Sequence, residues 1–176
     1  MINGAKTLEM DNGITKVHTS HMDCDTKYLT DPGLQDGVVV VWHDENIVPE
    51  KCQDTSPAFP GDPDFPYVGR FVANLTFAQL RTIDCGSKRQ DDFPSQLTYP
   101  GTRISTQKEV FDFVACADPR HQMRFNIESK IDAAAPNLTL GVNDFVTKQH
   151  AVFQSTPYRD SITVCVLLLF RWCKHN

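Results

Sequence analysis

The chain has 176 residues, 17 Lys plus Arg against 22 Asp plus Glu, and a formal net charge of -5. With 40% apolar and 22% charged residues it is composed as one globular domain able to bury a core, which excludes wholesale disorder. Its acidic balance excludes a sequence-blind nucleic-acid binder, and its longest apolar run, Val164 to Phe170, is far short of the roughly 20 residues that span a bilayer.

Met1 to Met10 has no apolar core of a signal peptide. Cys24, Cys52, Cys85, Cys116, Cys165 and Cys173 form no CxxC pair, so neither a zinc ribbon nor a thioredoxin motif is indicated. Two Asn-Leu-Thr sequons, at Asn74 and Asn137, would suit a secreted protein but also arise by chance, so the compartment stays open.

In chain order, Lys6 to Asp11 alternates apolar and polar residues and ends at Asn12-Gly13, a turn signal. Gly37 to Asp44 contains four consecutive valines, apolar on both faces, which predicts a strand buried in a parallel sheet. Pro49 to Gly69 is rich in Pro, Gly and Asp and reads as a long loop. Leu75 to Ile83 has the spacing of a short amphipathic helix with Asn74 or Thr76 as N-cap. After another loop, to about Arg103, Ser105 to Glu109 opens a helix running from Glu109 to Ala117 and stopped by Asp118-Pro119. Met123 to Lys130 alternates as a strand, Asn143 to Ser155 is helical, and Ser161 to Val164 starts a further strand. Strands alternating with helices predict a parallel α/β sheet.

Three predicted strands end in groups that can do chemistry: Glu9 and Asp11, then His43 and Asp44, then Glu128 and Lys130. In parallel α/β folds the carboxyl ends of neighbouring strands converge on one rim. Glu9 and Asp11 are two residues apart and so share a face of their strand. With Glu128 they make three hard oxygen ligands, a set suited to Mg²⁺ or Ca²⁺. Such a cation could neutralise a phosphoryl oxygen while His43 moves a proton. Taken singly, each residue also reads as a solvated strand-end charge.

The segments TLEMD, DGVVVVWHDENI and FNIESK, in this order, resemble the motifs of the glycerophosphodiester phosphodiesterase family. The loop CQDTSPAFPGDPDFPYVG, the helix LTFAQLRTIDCGS and the segment PGTRISTQKEVFDFV fit the same family's spacing. The resemblance implies a (β/α)₈ barrel and hydrolysis of a glycerophosphodiester to glycerol 3-phosphate and an alcohol, through attack of the glycerol hydroxyl on phosphorus. It implies metal ligands at Glu9, Asp11 and Glu128, a proton-transferring His43 and a phosphate contact at Lys130. Small water-soluble diesters are the expected substrates, with a sphingomyelinase D-like phospholipase as the alternative.

Several features depart from the family pattern. Its first strand ends in His-Arg-Gly and supplies a second catalytic histidine; none of His18, His21, His121, His150 or His175 is followed by Arg-Gly. Val17 to Gln35 interrupts the family spacing, and codons compatible with splice signals at both ends suggest a translated intron. Within it, His18, His21 and Cys24 with Asp23 and Asp25 read as chance composition rather than a zinc site. Residues 164–176 read as a non-family tail, leaving Leu167 to Trp172 without a barrel partner.

The expected architecture is therefore about four βα units, the second to fifth strands of the barrel, in a partial domain over 1–163. A complete barrel takes about 250 residues. The exposed sheet edges would favour self-association, and a catalytically inactive fragment or binding module is the alternative function. Cys52 and Cys85 are expected as two buried free thiols, with a disulfide in an oxidising compartment as the other outcome.

Overall fold

The computed structural model describes residues 6–11, 14–19, 29–31, 35–90, 93, 95–131 and 141–168. Among the described residues the strands and α-helices follow in the order β1 (Lys6–Asp11), β2 (Ile14–Thr19), β3 (Leu29–Asp31), β4 (Val40–Val41), α1 (Phe77–Leu80), α2 (Gln107–Ala117), β5 (Phe125–Ile131), α3 (Val142–Gln154) and β6 (Ile162–Leu168). The predicted helices and the strands around Phe125 and Ile162 are all present, with ends displaced by a few residues.

β1 and β2 form an antiparallel pair of their own, with Glu9 opposite Lys16 and Asp11 opposite Ile14. The remaining strands form one sheet in the order β4-β3-β5-β6. β3, β5 and β6 are parallel, whereas β4 is antiparallel to β3. This corrects the expectation of an all-parallel sheet.

The valine run is also shorter as a strand than its composition suggests. Its backbone is claimed by the start of α2: Val41 N–H donates to Ser105 O at 2.9 Å, and Gln107 N–H donates to Val39 O at 3.0 Å. On its other edge the ladder with β3 covers only Val40 and Val41, opposite Asp31 and Thr30. The side chains still go where apolar groups must. Val39 packs with Phe145 of α3, Val40 enters a cluster with Ile47, Leu75 and Leu80, and Val41 lies against the α2–β5 cluster. The valine run thus joins three pieces of core.

Leu29–Asp31, inside the stretch 17–35 read as an interruption of the family spacing, pairs with both β4 and β5. Backbone N–H and C=O groups of buried strands require partners, and this short segment supplies them. One expectation is corrected in part: Leu167 and Leu168 are not unpartnered, because they continue β6 and stand opposite Lys130 and Ile131 of β5, while Leu169 to Trp172 lie outside the described residues. The β6 run of Ile162-Thr163-Val164 and Val166 has the β-branched character of a strand.

The helices are held by local chemistry. In α2 the Thr106 hydroxyl accepts from Glu109 N–H while the Glu109 carboxylate accepts from Thr106 N–H, a complete capping box. Val110, Phe111 and Val114 then bury one face against Phe125, Ile127 and Tyr158. The short α1 has the same device, with Thr76 as cap and Gln79 as its partner.

Cys52 and Cys85 form a disulfide, which corrects the expectation of free thiols. The cause is a bridge formed next to them. Gln53 N–H donates to Asp84 O at 2.8 Å and Asp84 N–H to Gln53 O at 3.0 Å, bringing the two Cα atoms to 4.1 Å. The bond sits in the cluster that also contains Trp42, Ile47, Tyr67 and Ile83. Nearby, Asp62 ties the long loop together: it accepts from the Tyr67 hydroxyl at 2.7 Å and from Gln79 Nε2 at 3.0 Å. Burial alone would raise the Asp62 carboxyl, but these donors hold it below the ordinary carboxylate range.

Candidate functional site

β5 has two faces with different neighbours. Phe125 and Ile127 pack on α2 and Tyr158, and the Ser129 hydroxyl donates to Gln149 Oε1 of α3 at 2.7 Å. These alternate residues define the helix-covered face. Glu128 therefore belongs to the opposite face, the one that would turn inward in a barrel. It is nevertheless buried, at 5% exposure. A carboxylate is costly to bury without donors or a compensating charge, so this position has the character of a ligand or of a tightly bonded structural group.

His43 follows β4 after Trp42. Its ring is 52% exposed, and Nδ1 lies 3.1 Å from Asp44 Oδ1. Asp44 Oδ2 is in turn 2.9 Å from Lys51 Nζ, and that ammonium stands 5.8 Å from the centre of the Trp42 ring. Trp42 is buried and donates its indole N–H to Asn46 O at 3.0 Å. Burial would push the Asp44 carboxyl up, but the His43 and Lys51 contacts outweigh it and lower it to about 2. Asp44 is thus a fixed anion that orients the imidazole, and Lys51 fixes Asp44.

The Asp-Gly start of the same motif has a structural job. Asp36 Oδ2 accepts from Phe77 N–H at 2.8 Å, clamping the first turn of α1 to the approach to β4. Gly37 has φ +77°, and a Cβ there would collide with the Lys148 side chain.

The sheet register relates the two halves of the candidate site. Val41 stands opposite Thr30, and Thr30 opposite Ser129. The end of β4 that leads to His43 and the Glu128 position therefore lie at similar height, separated by β3. Glu9 and Asp11 occupy the hairpin rather than this sheet; β1 approaches β5 without pairing with it. The side chains of Glu9, Asp11 and Lys130 lie outside the described residues. Among the described residues no group of three or more His, Cys, Asp or Glu side chains could hold a metal ion. Lys51 and Trp42 were not legible as site residues, because nothing in the sequence shows that the loop returns to Asp44.

A model of the glycerophosphoryl diester phosphodiesterase family matches residues 34–160, more than half of the chain. No curated protein matches it. A crystal structure from Silicibacter pomeroyi DSS-3, provisionally named a glycerophosphoryl diester phosphodiesterase, superposes with a TM-score of 0.63 at 20% identity. The superposition covers 80% of this chain and 46% of that one, so this chain spans about half the length of the structure it matches. At that identity the likeness shows a shared fold.

Proposed function

Because the chain belongs to the glycerophosphoryl diester phosphodiesterase family, whose fold is TIM-barrel-like, we propose that it carries half of a metal-dependent site that hydrolyses glycerophosphodiesters to glycerol 3-phosphate and an alcohol. The observation that supports this most is the buried Glu128, on the face of β5 opposite the one that packs on α2 and α3, at the height of the β4 end that leads to His43.

In this reading Glu128 acts with Glu9 and Asp11 to hold one divalent cation, Mg²⁺ or Ca²⁺, the hard ions that carboxylate oxygens suit. The fit rests on donor chemistry: carboxylate oxygens are the hard donors such a cation takes, and Glu128 is buried on that face. The cation supplies neutralisation of a phosphoryl oxygen. Lys130, two residues beyond Glu128, is assigned to the substrate phosphate. An Nδ1–H on His43 directed at Asp44 leaves the lone pair on Nε2, so Nε2 takes the proton from the attacking glycerol hydroxyl or, once protonated, gives it to the leaving alcohol.

The 176 residues contain one histidine matched by motif to this proton transfer, where the family uses two. The polypeptide by itself is accordingly proposed to turn over on the order of 10²-fold or more below a site with both. The sheet is read as part of the barrel, about four βα units, whose open edges self-associate. Small water-soluble diesters are favoured as substrates.

The test is turnover of glycerophosphocholine by the purified chain, with and without EDTA. Slow release of glycerol 3-phosphate that stops on chelation and in His43→Ala supports the reading. Release that survives both would end it.

A further inference from the structure

We propose that Asn74 is a site of N-linked glycosylation, on a domain that folds in an oxidising secretory lumen. Two observations that the hydrolytic site does not use meet here. First, Asn74-Leu75-Thr76 is an Asn-x-Thr acceptor triplet, with Phe77 rather than proline after it. Second, the Cys52–Cys85 disulfide is buried in the same core cluster as Leu75. Bonds of this kind persist in oxidising compartments and are rare in the cytosol.

The triplet is arranged for the modification. Leu75, the middle residue, is fully buried and anchors the segment, while Asn74 is exposed. The Asn74 backbone N–H is committed to Phe71 O at 3.0 Å, but among the described residues no hydrogen bond ties down its side-chain amide. A glycan there projects into solvent and displaces nothing from the core. It also stands on the 3₁₀ turn of Val72–Asn74, just before the capping box that starts α1. The second sequon, at Asn137, lies outside the described residues.

In the transfer, the side-chain nitrogen of Asn74 attacks the anomeric carbon of an oligosaccharide carried on a lipid pyrophosphate. A new C–N bond forms, the C–O bond to pyrophosphate breaks, the amide loses one proton, and the lipid pyrophosphate leaves. No oxidation or reduction occurs in that step.

The experiment directs the full chain into the secretory pathway of a eukaryotic cell behind a cleavable leader, then recovers it from both lumen and medium. Peptide mass spectrometry before and after amidase deglycosylation reads Asn74 and Asn137 separately, and non-reducing digestion reads the Cys52–Cys85 linkage. We expect the peptide containing Asn74 to be shifted by a glycan that deglycosylation removes, leaving aspartate, and Asn74→Gln to lose that shift. Thr76→Ser, which keeps both acceptor hydroxyl and helix cap, should retain it. An unmodified Asn74 peptide in chain recovered from the lumen would overturn the proposal, as would free thiols at both Cys52 and Cys85. Neither result bears on turnover, so the hydrolytic reading stands or falls separately.

Discussion

Removing the Cys52–Cys85 bond should be the most damaging change that leaves the hydrophobic side chains intact. The two cysteines are 33 residues apart, and they close a loop containing Tyr67, Val72, Leu75 and Leu80. In the chain-entropy account, opening a loop of this length returns about 12 cal/mol/K to the unfolded state, or about 4 kcal/mol at 25 °C. For a chain of this size that corresponds to a fall in Tm of roughly 10 °C. The partner hydrogen bonds between Gln53 and Asp84 remain in the Cys52→Ala/Cys85→Ala variant, so the native geometry is kept and the loss falls on the unfolded-state constraint. Urea unfolding followed by tryptophan fluorescence measures it, since Trp42 shares the cluster. Reduction of the unmutated chain should give a loss of similar size. A change under about 1 kcal/mol in both would refute the claim that this bond holds the loop over the core.

Three further expectations concern the helix caps, the acidic groups and the site. Thr106→Ala should cost about 1 kcal/mol in urea unfolding, and Thr106→Ser should restore most of it, because the hydroxyl caps Glu109 N–H. Asp44 and Asp84 are both lowered to about 2 from 3.8, in each case by bonds that overcome burial: His43 and Lys51 at Asp44, and Ser87 with the Gly86 N–H at Asp84. The unfolded chain then binds more protons in that window, so stability is fully present above about pH 4 and is lost as pH falls toward 2; Asp84→Asn should flatten the thermal-unfolding profile there. Lys51→Ala should lower kcat roughly tenfold with little change in KM, and Lys51→Arg should recover part of it, whereas His43→Ala should cost about 10² to 10⁴.

Much of the fold could be read where local chemistry decides it. Thr106 with Glu109, and the stop at Asp118-Pro119, mark α2 within two residues, and the alternation from Phe125 and the β-branched start at Ile162 mark β5 and β6. What escaped depends on distant partners. The valine run predicts a full strand, but one of its edges meets Ser105 and Gln107 and the other only the short β3; Leu29–Asp31 in turn has no periodicity to announce that it fills a gap between β4 and β5. The disulfide likewise turns on a bridge between Gln53 and Asp84, which no spacing rule reveals. At the candidate site, His43 and Glu128 stand out in the sequence through their motifs, and their roles are the proposal made above. Lys51, eight positions past His43, does not stand out, because its role exists only once the loop folds back over Trp42.

Divalent-cation binding by the whole chain probes the proposed chemistry most directly, independently of how fast it turns over. Calorimetric titration with Mg²⁺ and with Ca²⁺ should show one site for at least one of these ions, and Glu128→Gln should weaken it at least tenfold while the thermal midpoint of the metal-free chain stays close to that of the parent. Unchanged affinity in Glu128→Gln, or no binding of either ion by the parent, would contradict the assignment of that buried carboxylate as a metal ligand.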